Sequence, residues 1–375
     1  MILLERKVLF TASTFSHILN FHLPYLRAFQ EHGWTVHVAC GGESKSVPYA
    51  EKSVVLPFKK QMRAPENFEA ARRLRALIET EQYALVVTHT SLAAFFTRYA
   101  LRGLRQRPKL INMVHGYLFD GKTPLLKREL LLTAERLTAP QTDLLLTMNE
   151  YDYKLAQKYR LGGRVLHIPG VGVDFSRFDG AIPFSRGSLG IEEDAFVLIY
   201  AAEFSARKGQ ELLLRAMERL PERAVLLLPG DGAKRDACRE LAKQLGLEKR
   251  VIFPGHVSRM EDWYAMADAA VSVSRSEGLP FNIMEAMYAG LPVAASAVKG
   301  HTDLIDHGQN GLLFPYGDID ACAEQIQVLM NSEKLRQRLS QNAKADAEQY
   351  RLERVFPLVW EDYMSVVETP AYAGT

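Results

Sequence analysis

The sequence predicts an α/β protein with two doubly wound parallel sheets, one in each half of the chain. Its 375 residues exceed what one ordinary core requires and suffice for two domains. In each half, short apolar segments alternate with longer segments of helical periodicity, as in parallel strands joined by crossover helices. Glycine and proline cluster in VLHIPGVGVDFSRFDG, residues 165–180. We therefore place an N-terminal domain over residues 1–175 and a C-terminal domain over 176–355.

The N-terminal half begins with KVLFTAS (7–13), an apolar segment that predicts a strand. ILNFHLPYLRAFQEHG (18–33) predicts one helix that ends at Gly33, and TVHVAC (35–40) predicts a second strand. Three more apolar segments separated by helical stretches predict further strands: ALVVTHT (84–90), LINMVHG (110–116) and DLLLTMN (143–149). Strands that are apolar throughout indicate a sheet covered on both faces.

The C-terminal half repeats this alternation. Helices are predicted for GQELLLRAMERL (209–220) and KRDACRELAKQLG (234–246), and Ser258 with Glu261 predicts a capping box at the start of the next helix. Five apolar segments predict strands: FVLIYAAE (196–203), AVLLLPGDG (224–232), VIFPGHV (251–257), AVSVSRSEG (270–278) and LPVAASAV (291–298). Ligands bind at the carboxyl ends of such strands, so the pattern predicts a ligand-binding protein and leaves the ligand open.

Composition restricts the class of protein. A hydrophobic content of 47% with 24% charged residues is typical of a soluble globular protein. The N-terminal LLERK places charges where a secretory signal would be apolar, and we find no apolar run of the ~20 residues that a transmembrane helix needs. A reducing cytoplasm is favoured by three widely spaced cysteines without a metal-binding pattern, Cys40, Cys238 and Cys322.

The net charge of +2 conceals an asymmetry between the halves. Residues 1–175 hold 24 Lys and Arg against 15 Asp and Glu, a balance of +9, and the remaining 22 against 29 give −7. The basic segments are PFKKQMR (57–63), ARRLR (71–75) and RYALRGLRQRPK (98–109). Such segments are commonly solvated faces, but with their aromatic and leucine neighbours they could dock on an anionic membrane. Nucleic acid is disfavoured, since no nucleic-acid-binding module accompanies them.

The segment SVSRSEGLPFNIMEAMYAGLPV (272–293) places two glutamates around a strand-to-helix turn. Gly278 permits a tight turn, Pro280 suits the first helical position, and Gly290 ends the helix. The N-terminus of this helix could bind a diphosphate, with Glu277 beside it and without a fixed partner, and Glu285 could accept hydrogen bonds from a ribose diol. Alternatively, Glu277 caps the helix and Glu285 is a buried, ion-paired residue.

SEGLPFNIMEAMYAGLPV resembles the glutamate-x7-glutamate motif of the retaining glycosyltransferases of family 4, which have the GT-B fold. Four further segments resemble the C-terminal domain of that family in the family's order: AAEFSARKGQELLLRAM, LLPGDG, VIFPGHV and DLIDHGQNGLLF. Four others are similar to the N-terminal domain of its capsular and exopolysaccharide members: TASTFSHILNFHLPYLRAFQEHGWTVHVA, VVTHT, MVHGYLF and IPGVGVD. The resemblance implies two Rossmann-like domains facing a central cleft, with a helix over 356–375 packing back on the first.

The resemblance also implies roles for the residues of the second half. Glu277 would contact the transferred sugar and Glu285 the nucleotide ribose, while Arg207 and Lys208 would stabilise the leaving diphosphate. The alternative for these two cations is a solvated loop pair. The remaining donor-binding candidates are Gly278, Leu279, Pro280, Phe281, Gly230 and His256, although the last two could be turn residues, and Lys299 and Gly300 are candidates for the sugar pocket.

Three histidines of the first half are candidates as well. His115 ends an apolar strand, and the matching family histidine lies near the reacting centre, which makes His115 a catalytic candidate; a structural histidine is the alternative. His17, with Ser16, is an acceptor-side candidate, and His89 is expected to be structural or to support another residue.

No metal or cofactor is expected besides the nucleotide sugar. Asp318 and Asp320 form an Asp-x-Asp pattern, but it precedes a helical segment, so we interpret Asp318 or Asp320 as a helix N-cap and expect no metal there.

The residues and the resemblance together predict a cytoplasmic, membrane-associated, metal-independent glycosyltransferase that retains the anomeric configuration. Its donor would be a nucleotide-diphosphate sugar, UDP-linked by default, and its acceptor a lipid-linked oligosaccharide of a surface polysaccharide. One alternative is a sugar-nucleotide epimerase of the same architecture, which needs no acceptor. Another is a non-catalytic polysaccharide- or lipid-binding protein, which would tolerate loss of Glu277. A dehydrogenase is disfavoured because no Gly-x-Gly-x-x-Gly opens either first helix.

Overall fold

A computed structural model of the protein describes residues 6–368. These residues divide into two compact units. The first consists of the described residues of Met1–Val171 and Arg354–Thr375, and the second is Gly172–Glu353. The predicted domain boundary after residue 175 lies four residues beyond the end of the first segment at Val171.

The first unit contains a parallel sheet of seven strands in the order β3-β2-β1-β4-β5-β6-β7. The strands are β1 (Lys7–Ala12), β2 (Thr35–Cys40), β3 (Lys52–Val55), β4 (Leu85–His89), β5 (Lys109–Val114), β6 (Leu144–Thr147) and β7 (Arg164–His167). The helices are α1 (Phe15–Phe21), α2 (Leu23–Glu31), α3 (Pro65–Glu81), α4 (Ser91–Ala100), α5 (Leu125–Thr138) and α6 (Glu150–Tyr159). In the register, Phe10 of β1 pairs with Val38 and Val87, and all three are buried.

The helix predicted over residues 18–33 is two helices. α1 ends at Phe21 and α2 begins at Leu23, with His22 between them and a proline in the first turn of α2. Proline has no N–H to donate and therefore favours the first turn of a new helix over the interior of a long one. The stop at Gly33 is as predicted, and its φ of 74° lies in the left-handed region that glycine adopts readily.

The second unit contains a parallel sheet of six strands in the order β10-β9-β8-β11-β12-β13. The strands are β8 (Phe196–Ile199), β9 (Ala224–Pro229), β10 (Val251–Gly255), β11 (Ala269–Ser272), β12 (Val293–Ser296) and β13 (Leu312–Phe314). The helices are α7 (Gln210–Met217), α8 (Arg235–Gln244), α9 (Met260–Ala265), α10 (Phe281–Tyr288), α11 (Ile319–Asn331) and α12 (Glu333–Ala347). The two predicted parallel sheets are thus confirmed.

Two predicted helix starts have different outcomes. Asp318 caps α11, since its carboxylate accepts a hydrogen bond from the N–H of Ala321 at 2.9 Å. The capping box of Ser258 and Glu261 is wrong, because α9 starts at Met260 and its N-cap residue, Arg259, makes no side-chain cap.

The last helix, α13 (Leu352–Glu368), packs on α2 within the first unit. The ring centroids of Phe356 and Tyr25 are 5.1 Å apart, and those of Trp360 and Phe29 are 4.8 Å apart. Residues 369–375 of the predicted C-terminal helix lie outside the described residues. None of the helices within residues 6–368 combines the length and apolar character that crossing a membrane requires.

Candidate active site

The carboxyl ends of β8 and β11 form the centre of the candidate site in the second unit. These strands are neighbours, and the strand order reverses between them, because the chain runs outward through β9 and β10 on one side and through β12 and β13 on the other. In open α/β sheets the crevice at such a reversal is where ligands bind. The loop after β8 carries Arg207 and Lys208, and the loop after β11 carries Glu277. The two loops are joined by a hydrogen bond from the N–H of Arg275 to the carbonyl of Arg207 at 2.8 Å.

Glu277 is held by both cations of the neighbouring loop. Lys208 Nζ donates to one carboxylate oxygen at 2.7 Å, and Arg207 Nη1 donates to the other at 2.6 Å. The expectation that Glu277 has no fixed partner is therefore wrong, because its partners come from a loop about 70 residues away in sequence. The helix-cap alternative is wrong as well, since the N-cap residue of α10 is Pro280.

The cations keep Glu277 ionised although the residue is only 7% exposed. Burial by itself would raise the pKa of this carboxyl group, but Lys208 and Arg207 lower it to about 2. Burial also lowers the pKa of the Lys208 ammonium from its ordinary value, an effect that Glu277 opposes. At neutral pH Glu277 is thus a carboxylate that only accepts hydrogen bonds, which suits it to bind sugar hydroxyls.

The loop after β12 packs directly against Glu277. The N–H of Glu277 donates to the carbonyl of Lys299 at 3.3 Å. Gly300 has a φ of 82°, and a Cβ atom there would lie 2.8 Å from the Gly278 carbonyl oxygen and 2.9 Å from Glu277 Cβ. A residue without a side chain is therefore required at position 300. The turn that carries Glu277 follows β11 and is also held in place by the loop after β12.

A buried polar network beneath the site was not predicted from the sequence. The Tyr200 hydroxyl donates to the Lys208 carbonyl at 2.9 Å and lies 2.8 Å from Ser274 Oγ. Ser296 Oγ donates to the Ser274 carbonyl at 2.6 Å, and His301 Nδ1 donates to the Ser296 carbonyl at 2.7 Å. Burial lowers the pKa of His301 to about 4, although Glu277 opposes this change. These residues lie at or just after the carboxyl ends of β8, β11 and β12, and that position is the signal that could have identified them.

Glu285 lies in the second turn of α10 and makes two contacts. It forms an ion pair with Arg177, and the Tyr264 hydroxyl donates to its second oxygen at 3.3 Å. Burial raises the pKa of Glu285 and Arg177 opposes this rise. The ion-paired alternative thus describes Glu285 in this structure, but the Arg177 side chain is 42% exposed, so the pair reaches the solvent.

The other donor-binding candidates lie at increasing distance from Glu277 along the sheet. The segment Gly278–Pro280 is buried and leads into Phe281, the first residue of α10. Gly230 follows β9, and a Cβ atom there would lie 2.1 Å from the Ala202 carbonyl oxygen of the loop after β8. His256 is exposed and follows β10, two strands away from β8. The structure therefore joins Arg207, Lys208 and Glu277 by direct contact and leaves His256 at the side of the sheet.

The histidine candidates of the first unit come together in one cluster. His17 lies on α1, His89 ends β4 and His115 follows β5, while exposed Ser16 lies outside the cluster. A fourth histidine, His22, was not predicted; one ring nitrogen of each lies within 4.8 Å of the others. Burial lowers the pKa of all four, that of His17 to about 4. We name these four residues the histidine cluster.

A cavity of about 240 Å³ adjoins the histidine cluster. His17 and His115 line it, together with Asn112 from β5 and Glu135 from α5. Glu135 accepts a hydrogen bond from buried Arg98 at 2.7 Å. The rest of the lining includes the apolar residues Met113, Val114 and Leu118. The cavity is thus mostly apolar, with a few polar groups at its wall, which is the usual character of a small-molecule site.

Comparison with known proteins agrees with this architecture. Residues 25–177 match the family Glycosyltransferase Family 4, and residues 181–346 match the family Glycosyl transferases group 1. The chain is 34% identical over 353 residues to EpsD of Bacillus subtilis (strain 168), a protein named as a glycosyltransferase, and the aligned part covers 92% of each chain.

Two further similarities concern an enzyme and a solved structure. The chain is 26% identical over 282 residues, 72% of each chain, to the UDP-Gal:alpha-D-GlcNAc-diphosphoundecaprenol alpha-1,3-galactosyltransferase of Escherichia coli. The structure of Anabaena HepE in complex with UDP-glucose matches with a TM-score of 0.75 at 21% identity, over 96% of this chain and 99% of that chain, which shows the fold alone. By its family matches, its similarity to EpsD and its two sheets, the chain belongs to glycosyltransferase family 4 and is a glycosyltransferase of the GT-B fold.

Proposed function

We propose that the protein transfers a hexosyl or N-acetylhexosaminyl group from a UDP-sugar to a lipid-linked oligosaccharide of a surface polysaccharide, with retention of the anomeric configuration. The observation that carries this proposal is the contact of Glu277 with Lys208 and Arg207 where the strand order reverses. The carboxylate would accept hydrogen bonds from the sugar, and the cations would meet the charge of the diphosphate.

The two cations have donors beyond those that contact Glu277. An ammonium has three N–H groups and a guanidinium has five, and Arg207 uses one nitrogen for both Glu277 and the Ser276 carbonyl. The remaining donors would bind the phosphate oxygens as the bond between the sugar and the diphosphate breaks. The acceptor oxygen bonds to the anomeric carbon on the face that the diphosphate leaves, and the acceptor proton passes to the departing phosphate oxygen. The products are the glycoside and UDP.

Transfer is proposed to need no divalent metal at the diphosphate. Arg207 and Lys208 would supply there the positive charge that a metal supplies in other transferases. We expect that addition of Mg²⁺ or Mn²⁺ leaves the transfer rate unchanged; a strict requirement for either ion would overturn this part of the proposal.

The relatives support the donor and acceptor classes. The Escherichia coli relative is named for transfer of galactose from UDP-Gal to a GlcNAc linked through a diphosphate to undecaprenol. The HepE structure is a complex with UDP-glucose. For the acceptor we propose the cavity beside the histidine cluster, where His17, Asn112 and Glu135 offer hydrogen-bonding groups to sugar hydroxyls.

The donor is tested by thermal shift with a panel of UDP-, GDP- and ADP-sugars. We expect a UDP-sugar to raise the Tm of the wild type and to have a much smaller effect on Glu285→Ala, because that variant lacks the carboxylate proposed for the ribose. Glu248→Ala is the matched control, since Glu248 is an exposed glutamate of the same unit. Stabilisation by a GDP- or ADP-sugar alone would contradict the UDP assignment.

We also propose that the first unit binds the inner face of the cytoplasmic membrane, where a lipid-linked acceptor lies. Five exposed leucines on α5 and in the loop before it form what we call the leucine surface: Leu118, Leu125, Leu126, Leu130 and Leu137. Exposed Lys122, Lys127 and Arg136 accompany them. Leucines that insert among acyl chains and cations that contact anionic headgroups are the usual elements of an interfacial helix.

The basic segments contribute unequally to this surface. α5 contacts α4, and α4 contacts α3, so the three helices form one layer. Arg98 is buried against Glu135 and cannot reach a membrane, whereas Arg102 and Arg105 are exposed. The leucine surface therefore supports the membrane proposal more strongly than the count of basic residues does.

Co-sedimentation with vesicles tests the membrane proposal. The wild type should bind vesicles that contain anionic lipid, and the double variant Leu126→Ser/Leu130→Ser should bind at least about tenfold more weakly, a loss of about 1.4 kcal/mol. Leu358→Ser is the matched control, because Leu358 is 53% exposed on α13. Equal binding of the wild type and the double variant would refute a role for the leucine surface.

A further inference from the structure

The histidine cluster contains more close contacts between ring nitrogens than hydrogen bonding can explain. His22 Nε2 lies 3.3 Å from His17 Nε2, His17 Nε2 lies 3.3 Å from His115 Nε2, and His115 Nε2 lies 3.3 Å from His89 Nδ1. A neutral imidazole nitrogen carries either one proton or one lone pair, so each can take part in one linear hydrogen bond. The four nitrogens can therefore form only two such bonds. One of the three contacts is then not a hydrogen bond.

The rings are not suited to resolve these contacts by taking up a second proton. His22 and His89 are fully buried. Within residues 6–368, His22 Nδ1 and His89 Nε2 have no hydrogen-bond partner. A second proton on either ring would place a positive charge at a fully buried position, which is costly. In the neutral form that binds a cation through the facing nitrogens, the ring protons lie on His22 Nδ1 and His89 Nε2. The rings therefore remain neutral, and the lone pairs of the facing nitrogens remain available to a cation.

A bound metal ion would account for all three contacts at once. Nitrogens at about 2.0–2.1 Å from a tetrahedral Zn²⁺ are separated by about 3.3–3.4 Å, because the edge of a tetrahedron is about 1.63 times its centre-to-corner distance. Three of the six separations, at 3.3 Å, have this length, and all six lie within 4.8 Å, so the longer ones must shorten when a tetrahedral ion binds. We propose that His17, His22, His89 and His115 form a binding site for a divalent transition-metal ion, with Zn²⁺ as the best match.

The donor set defines the class of ion. Neutral imidazole nitrogens suit Zn²⁺, Cu²⁺, Ni²⁺ and Fe²⁺, and they disfavour Mg²⁺ and Ca²⁺, which take oxygen ligands. Four protein ligands leave no open position on a tetrahedral ion, and closed sites of this kind are structural. The ion would connect α1, which carries His17, and the junction with α2, at His22, to the carboxyl ends of β4 and β5. It would thereby hold rigid the edge of the sheet that lines the cavity.

The proposed metal site is distinct from the residues proposed for sugar transfer. The histidines belong to the first unit, whereas Arg207 and Lys208 belong to the second. With four protein ligands the proposed ion has no open position, so it would not bind the diphosphate in place of these cations. His17 would bind the metal through Nε2, which leaves its Nδ1 for a sugar hydroxyl of the proposed acceptor.

The test is metal binding by the full chain, purified without a polyhistidine tag and freed of metal with a chelator. Calorimetric titration with Zn²⁺ should give one ion per chain, and thermal unfolding should show a raised Tm with Zn²⁺. Co²⁺ should give the intense visible absorption of a four-coordinate complex. Both His22→Gln and His89→Gln should weaken Zn²⁺ binding by more than the roughly 10–100-fold that loss of an outer partner costs. His32→Gln is the matched control, because His32 is an exposed histidine on the same helical segment.

The outcomes separate this site from adventitious binding. The proposal is overturned if the wild type and His89→Gln bind Zn²⁺ equally, or if the Co²⁺ complex is six-coordinate. Should either glutamine variant fail to fold, the stoichiometry and the Co²⁺ spectrum of the wild type still decide. Both readouts are independent of sugar transfer, so a failure of the proposed activity would not be mistaken for a failure of the metal site.

Discussion

Replacement of Glu277 by glutamine tests whether the carboxylate anchors the two cations of the candidate active site. The substitution preserves the shape of the side chain and removes its charge. Lys208 is only 9% exposed, so without Glu277 its ammonium would remain buried beside another cation. A buried charge that loses its partner strongly destabilises the folded state.

The magnitude follows from the pKa of the carboxyl group. An ordinary value of 4.5 is lowered to about 2 in the folded protein. At about 1.4 kcal/mol per pKa unit, this difference corresponds to about 3 kcal/mol of folded-state stabilisation. For a unit of this size, about 3 kcal/mol should lower the Tm by roughly 6–12 °C.

Tryptophan fluorescence can report on the second unit alone. Of the three tryptophans, Trp34 and Trp360 lie in the first unit and Trp263 in the second. In a Trp34→Phe/Trp360→Phe background, unfolding in urea followed by fluorescence therefore measures the unit that contains Glu277. The control is Glu248→Gln in the same background, because this exposed glutamate should change the free energy of unfolding by less than about 0.5 kcal/mol.

A double-mutant cycle with Lys208→Met shows whether the loss arises from the ion pair. The double variant should be more stable than the sum of the two single effects predicts, by at least about 1 kcal/mol. Glu277→Gln leaves the Lys208 ammonium buried without its carboxylate, and Lys208→Met leaves Glu277 with Arg207 as its one cationic partner. A loss below about 1 kcal/mol in Glu277→Gln, or additive effects in the cycle, would refute the reasoning.

Three further predictions concern the same unit. Its stability should fall as the pH drops from 4.5 to about 2, because the unfolded state takes up the Glu277 proton first, and the fall should be shallower in Glu277→Gln. Gly300→Ala should lower both the transfer activity and the Tm more than Gly308→Ala does. Both glycines have positive φ, but of the two only position 300 has other atoms within 4 Å of an added Cβ. Arg177→Ala should raise the Kd of the donor about tenfold in calorimetry, because it removes the partner that orients Glu285; an unchanged Kd would contradict this.

The fold could be predicted from the sequence wherever a strand is buried on both faces. β1, β2, β8 and β9 are apolar segments with little solvent contact, and their positions were predicted within a few residues. The edge strands β3, β7 and β13 were missed. β3 and β7 are short, partly exposed and contain polar residues that interrupt the apolar pattern, and β13 has only three residues. The break between α1 and α2 was missed because the apolar pattern continues across it.

The site could be predicted in its residues and less well in its contacts. Glu277, Arg207 and Lys208 were each recognised by motif, yet their ion pairs depend on β8 and β11 being neighbours, which no local pattern reveals. The histidine cluster was recognised only in part for the same reason: β4 and β5 pair in parallel and bring His89 and His115 to one edge. His22 lies in a helix junction and gave no signal of its own.

The most direct test of the proposed function is the transfer of a labelled sugar from a UDP-sugar to a diphosphate-linked lipid acceptor. The wild type and Glu277→Gln would be compared with the donor selected by thermal shift, and the product configuration would be read by NMR. We predict a labelled glycolipid with the anomeric configuration of the donor, formed at least about 100-fold more slowly by the variant. An inverted product, equal rates, or conversion of the donor into another nucleotide sugar without transfer would contradict the account.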